Sequence, residues 1–237
     1  MPGRVGKLAL VVALVVAVAL VVSGVMETFR GTHYPRVLAI SLEREHRRRA
    51  RLTAQAPCVE YVPAVDGATL PSPTKPQPVE GERERTRGEL GCFLSHVRAW
   101  RRVVSFPDDP CVVVLEDDAN VSLPEQWPDI MRAINSLPRG WDLLFLGVNN
   151  PDARAPRVAP GVRRLQGDAY GMHAVVVSQK AARAMLRRFS EVGMCDDDGL
   201  MLPLDIWVSR LPLAMYWADP ALVTPFDIRD SETQRLL

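Results

Sequence analysis

Three consecutive carboxylates, Glu116–Asp118, are the strongest candidates for chemistry in the sequence. They directly follow the apolar run Cys111–Leu115, which is typical of a buried strand. Buried neighbouring carboxylates repel one another and lose hydration, and a divalent cation offsets both effects. Oxygen donors suit Mg²⁺ or Mn²⁺, which keep positions open for phosphate oxygens. Because side chains alternate along an extended segment, we predict Glu116 and Asp118 as metal ligands on one face, with Asp117 opposite.

The cluster by itself leaves other interpretations open. A solvated acidic loop at the end of a strand would have the same composition, and acidic strand ends also occur in metal-dependent phosphatases and nucleases. A second acidic run, Asp196–Asp198, stands in a polar stretch with no strand before it. We interpret that second run as a solvated loop.

The surrounding pattern predicts an α/β fold. Continuous apolar runs predict buried strands at residues 37–42, 111–115, 141–146 and 170–177, and residues 58–65 are also expected to be extended. Helical spacing predicts helices at residues 88–104, 127–137 and 179–189, whereas the Pro-rich and charged residues 70–87 predict an exposed loop. Such alternation favours a mostly parallel sheet flanked by helices. Ligands bind such sheets beyond the carboxyl ends of the strands, where the acidic cluster would lie.

An apolar segment at residues 8–26 predicts a membrane anchor. It is about 19 residues long, close to the ~20 that a helix needs to cross the bilayer. Arg4 and Lys7 precede it, which predicts a cytosolic N-terminus. We therefore divide the chain into a tail and transmembrane anchor, residues 1–29, and a catalytic domain, residues 30–237. The catalytic domain would be lumenal, in the Golgi or endoplasmic reticulum, in a eukaryote; a cleaved signal peptide is the alternative.

Charge and cysteine content exclude two classes of protein. The 29 Lys and Arg residues nearly balance the 28 Asp and Glu residues, which argues against a nucleic-acid-binding protein. The four cysteines form no C-x-x-C pair, so a zinc knuckle is not expected.

Several short motifs surround the acidic cluster. The string Gly88–His96 is followed about 20 residues later by Val113–Asp118. Further segments are Val37–Leu42 with Arg47 and Arg48 after it, Ala64–Gly67, Tyr170–Ser178 and Pro203–Asp205. Together and in this order they resemble glycosyltransferase family 25, which includes bacterial lipooligosaccharide galactosyltransferases and animal collagen galactosyltransferases. The first pair of strings is the most specific part of the resemblance, and Ser41 stands where Asn is common in the family.

The resemblance implies a GT-A-like fold and a UDP-sugar donor bound with Mn²⁺ or Mg²⁺. It also implies transfer of galactose or glucose to a glycan or protein hydroxyl with inversion at the sugar carbon. Inversion requires a base for the acceptor hydroxyl, and we predict Asp205 first and Asp142 second. Asp205 would otherwise cap the helix that begins beside it. The residues expected at the donor are Ser41, Leu42, Arg47, Asp66, Glu89, Ser95, His96 and Asp117.

Simpler roles remain open for several of these residues. Glu89 would cap its helix, His96 would be a hydrogen-bonded core residue, and Asp66 would begin an Asp-Gly turn. His173 is either a further metal ligand or a core histidine. Two other functions also remain open: a metal-dependent phosphohydrolase, and a non-catalytic membrane-anchored binding protein on the same fold.

Overall fold

A computed structural model describes residues 34–71 and 86–226 of the chain. The predicted anchor at residues 8–26 and most of the predicted loop at residues 70–87 lie outside these ranges. Within them, no helix combines the length and apolar character that crossing a membrane requires.

Ten strands and five α-helices alternate along the described chain. The strands are β1 Arg36–Ser41, β2 Val59–Pro63, β3 Cys111–Glu116, β4 Ala119–Asn120, β5 Leu143–Phe145, β6 Arg157–Ala159, β7 Val162–Arg164, β8 Ala174–Ser178, β9 Met215–Ala218 and β10 Thr224–Pro225. The helices are α1 His46–Gln55, α2 Arg87–Val104, α3 Leu123–Asn135, α4 Gln179–Val192 and α5 Leu204–Ser209, with a 3-10 turn at Gly67–Thr69.

Eight of these strands form one sheet in the order β2-β1-β3-β8-β5-β9-β7-β6, and β4 pairs with β10 separately. β1 pairs in parallel with both β2 and β3, and β5 pairs in parallel with β9. β8 is antiparallel to β3 on one side and to β5 on the other, and β7 is antiparallel to its neighbours. The prediction of a mostly parallel α/β sheet with flanking helices is therefore confirmed, with β8 and β7 reversed within it.

The apolar composition of β1 and β3 accounts for their central position. All residues from Val37 to Ile40 and from Cys111 to Leu115 are buried, as expected for strands covered on both faces. Burial of these side chains, at roughly 25 cal/mol per Å² of apolar surface, is the main force that holds the sheet to its helices.

Helix α2 packs on the sheet beside α4 and α5 through aromatic contacts. The Phe93 ring meets the Trp207 ring edge to face at 5.1 Å, and Trp100 stacks on Trp207 at 6.0 Å. Thr86 and Glu89 form a capping box at the start of α2, with the Thr86 N–H donating to Glu89 Oε2 at 2.8 Å and the Glu89 N–H donating to Thr86 Oγ1 at 3.1 Å. Packing and capping together fix the position of the helix that carries Cys92, Ser95 and His96.

Candidate functional site

A cavity of about 360 Å³ opens at the carboxyl ends of β1 and β3. Its walls are the end of β1 at Ser41 and Leu42, the segment 64–68, one face of α2, and the acidic turn Glu116–Asp118. Parallel strands bring their carboxyl ends to the same edge of a sheet. The structure thus places the predicted acidic cluster, Asp66 and His96 around one space.

Two glycines allow the segment 64–68 to lie against α2. A Cβ atom on Gly91 would come within 2.7 Å of the Val65 carbonyl oxygen and 2.8 Å of the Gly67 nitrogen. A Cβ atom on Gly67 would come within 2.2 Å of the Arg87 carbonyl oxygen. Because all these neighbours are backbone atoms, neither position has room for a side chain. The glycines of the two sequence motifs are therefore steric requirements of this wall of the cavity.

Ser95 and Asp66 fix the conformation of the same segment. The Ser95 hydroxyl accepts a hydrogen bond from the Val65 N–H at 2.8 Å and donates one to the Gly91 carbonyl at 2.6 Å. Asp66 accepts from the Ala68 N–H at 3.0 Å and forms an ion pair with Arg44. The Arg44 guanidinium and the Ala68 N–H hold the pKa of Asp66 below its usual value. Asp66 thus presents an ionised carboxylate at the rim of the cavity.

Glu116 ends β3 and contacts α2. His96 Nε2 lies 2.9 Å from Glu116 Oε1, and Cys92 Sγ lies 3.9 Å from the same oxygen. Burial would raise the pKa of Glu116, but the His96 hydrogen bond and the nearby imidazoles lower it below the usual value. The Glu116 N–H also donates to the His173 carbonyl at 2.8 Å, which continues the β3–β8 ladder.

Asp117 points to the other side of the turn, toward α1. Its Oδ1 accepts from Arg48 at 3.0 Å, and its backbone carbonyl accepts from Arg51 at 2.8 Å. Burial raises the pKa of Asp117, although hydrogen bonds from Ser41 and Arg48 oppose that shift. The opposite orientations of Glu116 and Asp117 agree with the alternation expected from the sequence.

Asp118 has the least compensated carboxylate of the three. Its Oδ1 is buried and has no hydrogen-bond partner among the atoms of the described ranges. Burial, with the charges of Glu116 and Asp117, raises its pKa to about 7. The C-terminal strand holds its backbone, because the Phe226 N–H donates to the Asp118 carbonyl at 2.6 Å. The arrangement fits a divalent cation, since an ion beside Glu116 and Asp118 would supply the missing partner.

The two predicted bases, Asp205 and Asp142, lie in different parts of the structure. Asp205 lies in the first turn of α5 and accepts from the Gly171 N–H at 3.0 Å and the Ile206 N–H at 2.9 Å. Burial raises its pKa, and the charge of Glu116 adds to that shift, so Asp205 lies within electrostatic range of the acidic turn. Asp205 is not itself among the residues that line the cavity.

The structure removes Asp142 from the site, which corrects the sequence prediction. Asp142 precedes β5, and its carbonyl accepts from the N–H of Ser178, the partner of Cys111 at the start of β3. Glu116 lies at the far end of that strand, about 16 Å away at ~3.3 Å per residue. The Asp142 carboxylate instead binds the Ala214 N–H at 2.8 Å and pairs with Lys180 at 3.0 Å.

Some of the predicted donor residues line the cavity and others do not. Ser41, Leu42, Asp66, Ser95, His96 and Asp117 all line the cavity. Arg47 is exposed and does not line the cavity, which corrects its predicted place. Arg48, its neighbour on α1, lines the cavity instead. Glu89 does not line the cavity either and forms the capping box described above. His173 is buried, with Nε2 3.2 Å from the Val223 carbonyl.

Sequence analysis missed three residues that shape the site. Arg44 pairs with Asp66, Arg51 binds the backbone of Asp117, and the exposed Phe226 lies under the Arg51 guanidinium at 4.0 Å. Arg48 and Arg51 are three residues apart on α1, a spacing that places two side chains on one face of a helix, whereas Arg44 lies in the turn before α1. No comparable signal identifies Phe226, because it reaches the site by tertiary pairing of β10 with β4.

Comparison with known proteins agrees with the motifs. A family model described as "Glycosyltransferase family 25 (LPS biosynthesis protein)" matches residues 35–137, which include β1, α2 and the acidic turn. The chain is homologous to glycosyltransferase family 25. The resemblance that the motifs indicate is thereby confirmed.

Its curated relatives include proteins named as procollagen galactosyltransferases and proteins named as inactive members of that family. The chain is 34% identical over 173 residues to the rat "Probable inactive glycosyltransferase 25 family member 3", covering 65% of this chain and 30% of the relative. It is 28% identical over 224 residues to zebrafish procollagen galactosyltransferase 1, covering 81% and 36%. It is 29% identical over 206 residues to human procollagen galactosyltransferase 2, covering 77% and 32%. The chain thus spans about a third of the length of these relatives.

Proposed function

We propose that the chain is a metal-dependent glycosyltransferase that moves a hexose, galactose or glucose, from a UDP-sugar to a hydroxyl group of a glycan or protein. The observation that carries the proposal is Asp118, whose buried Oδ1 atom has no hydrogen-bond partner among the described residues and which lies with Glu116 on the wall of a 360 Å³ cavity. Its position in a homologue of family 25, among relatives named galactosyltransferases, supports this choice of chemistry. We further propose that the fold is of the GT-A type.

Each wall of the cavity has a part in donor binding under this proposal. Glu116 and Asp118 hold Mn²⁺ or Mg²⁺, which neutralises the diphosphate leaving group when bound. Asp66 accepts hydrogen bonds from the ribose hydroxyls or the uracil ring. Arg48 pairs with the Asp117 carboxylate and holds it turned away from the donor phosphates, which reduces the repulsion between them.

Asp205 is the proposed base. It takes the proton of the acceptor hydroxyl while that oxygen displaces the leaving group with inversion. Burial raises the pKa of Asp205, which makes it a stronger base than an exposed aspartate. The N–H groups of Gly171 and Ile206 hold its carboxylate in one orientation.

The test is UDP release from a panel of UDP-sugars by the purified chain, with and without Mn²⁺. We expect hydrolysis of one donor that is abolished by a chelator and by Asp118→Asn. Asp205→Asn should lower kcat by about 10²–10⁴-fold, the usual contribution of a general base. Asp197→Asn, at an exposed position, is the matched control and should leave the rate unchanged.

A non-catalytic role is the second candidate, because the rat relative with 34% identity is named as probably inactive. A binding protein on this fold would show a donor-induced rise in Tm without UDP release. Folded protein with neither turnover nor a donor-induced thermal shift would contradict both functions.

A further inference from the structure

Three side chains of different chemistry converge at the inner end of the cavity. Cys92 and His96 lie on one face of α2, four residues apart, and Glu116 approaches them from the end of β3. His96 Nε2 is 2.9 Å and Cys92 Sγ is 3.9 Å from Glu116 Oε1. The three ligand atoms all lie within 4.8 Å of one another.

These separations suit a tetrahedral metal ion. With bond lengths of about 2.0–2.3 Å to nitrogen, oxygen and sulfur, donors on tetrahedral zinc stand roughly 3.3–3.8 Å apart. The sulfur–oxygen pair is already near this range, the nitrogen–oxygen pair has to open by a few tenths of an ångström, and the sulfur–nitrogen pair, within 4.8 Å, has to close by up to about 1 Å. Thiolate and imidazole donors favour Zn²⁺ over Mn²⁺ and Mg²⁺, which prefer oxygen.

The cluster is reachable and has room for a fourth ligand. Cys92, His96 and Glu116 all line the cavity, so an ion can enter from it and keep a water molecule on its open side. Binding would displace the thiol proton of Cys92, as metal coordination does for cysteines in general. His96 Nδ1 is buried and has no hydrogen-bond partner within the described ranges. That nitrogen would carry the ring proton without a partner, which limits affinity and suits an exchangeable ion.

We propose that Cys92, His96 and Glu116 form a thiolate–imidazole–carboxylate site for Zn²⁺, and that zinc bound there inhibits the enzyme by withdrawing Glu116 from the catalytic ion. The binding half of this inference stands on the geometry alone. The inhibitory half rests on the proposed function, in which Glu116 and Asp118 share Mn²⁺ or Mg²⁺.

Cobalt titration of the purified, reduced chain tests the binding half. Co²⁺ should give a thiolate-to-cobalt charge-transfer band and the visible absorption of a tetrahedral ion, and Zn²⁺ should displace both. Cys92→Ser should abolish the charge-transfer band, and Cys92→Ser and His96→Gln should each weaken Zn²⁺ binding by at least about tenfold. Cys58→Ser is the matched control, since Cys58 is also a partly exposed free cysteine outside the cluster.

Circular dichroism melts establish that each variant is folded. A folded wild-type chain without the charge-transfer band, or a band that survives Cys92→Ser, would overturn the zinc site.

The inhibitory half is measured as the ratio of UDP release with and without Zn²⁺ at constant Mn²⁺. The ratio should fall at least tenfold in the wild-type chain and in Cys58→Ser, and stay near one in Cys92→Ser. Zinc binding without a fall in the wild-type ratio would overturn inhibition. If no variant releases UDP even without zinc, the proposed function fails, whereas the cobalt spectra still decide whether the site exists.

Discussion

The three carboxylates of the acidic turn have different surroundings, and these surroundings determine what each can do. Glu116 contacts His96 and Asp117 contacts Arg48. Asp118 keeps one buried oxygen without a partner in the described structure. Substitutions at the three positions should therefore have different consequences, although the residues are adjacent and chemically alike.

Asp118→Asn should stabilise the metal-free protein, and more so at pH 8 than at pH 5. The pKa of Asp118 is raised from 3.8 to about 7 in the folded state. Between these values the unfolded chain is ionised while the folded chain holds a proton, so stability falls as pH rises through this window. Asparagine carries no ionisable carboxyl group, so the substitution removes this loss of stability at high pH. The check is the Tm in EDTA, which should rise by several degrees at pH 8, at ~2–4 °C per kcal/mol for a domain of this size.

The same substitution should lose this advantage when Mn²⁺ is present, because only the wild-type chain gains stability from the ion. Asp197→Asn provides the control at an exposed carboxylate. An equal Tm change at both pH values would show that Asp118 is not the group responsible.

Arg48→Ala and Arg47→Ala should differ, although the two residues are neighbours. Loss of Arg48 leaves Asp117 buried beside two other carboxylates, and an uncompensated buried charge commonly costs about 3–5 kcal/mol. Arg48 is partly exposed, so the loss should fall below that range. Arg47 is exposed, and its removal should change stability by less than about 0.5 kcal/mol. The measurement is the free energy of unfolding of both variants in urea. Equal losses of stability would contradict the assignment of Arg48 to the site.

Sequence reasoning placed Glu116 and Asp118 at the cavity but named Arg47 where Arg48 lines it, and the reason is physical. An acidic run after an apolar strand identifies Glu116 and Asp118 without tertiary information. The sequence only weakly indicates which face of α1 points toward the site, because Leu52 is the one buried residue of this helix. Asp142 stands at the start of the predicted strand 141–146, opposite to the carboxyl end where ligands bind, so its position along that strand already argued against a place at the site.

At the scale of elements, α2 and the segment 64–68 bring their backbones close together at Gly67 and Gly91. The Cβ positions of Gly67 and Gly91 are occupied by main-chain atoms of the other element. Ser95 adds a hydrogen bond across the same contact. Any side chain at either glycine has to separate the elements and widen the cavity.

Gly91→Ala should therefore destabilise the protein despite the higher helix propensity of alanine. Alanine gains up to ~1 kcal/mol within a helix. Its Cβ would lie 2.7 Å from the Val65 carbonyl oxygen, and such overpacking typically costs about 1–3 kcal/mol. Chemical denaturation should show a net loss of stability. Arg101→Ala, at an exposed position on the same helix, is the control and should have little effect; a stabilised Gly91→Ala would contradict the close approach.

The elements themselves were largely predictable, but their directions were not. Continuous apolar runs identified β1, β3 and β8, and helical spacing identified α2 and α4. The sheet was expected to be mostly parallel, without a direction for each strand, and β8 is antiparallel to both its neighbours. Apolar composition reports burial on both faces and carries no information on direction. The sequence analysis did not predict β9, because its four residues lie between prolines and form too short an apolar run to indicate a strand.

At the scale of the whole molecule, the segment at residues 8–26 predicts that the full chain is an integral membrane protein. We expect it to remain in the membrane pellet after alkaline carbonate extraction, because about 19 apolar residues are long enough to span the bilayer. A variant without residues 1–29 should move to the supernatant while keeping its UDP-sugar activity. Release of the full chain by carbonate would contradict the anchor, and immunoblotting of both fractions gives the measurement.

The pairing of β10 with β4 also affects how the protein is made. Asp118 and Phe226, joined by a backbone hydrogen bond, are separated by about 100 residues, which a ribosome adds in roughly 5–20 s. During that interval the nascent chain exposes the acidic turn before the strand that fixes it exists. Under the proposed function, metal loading should therefore follow translation through Phe226, and ribosome-bound chains stalled before this residue should bind the proposed ion weakly.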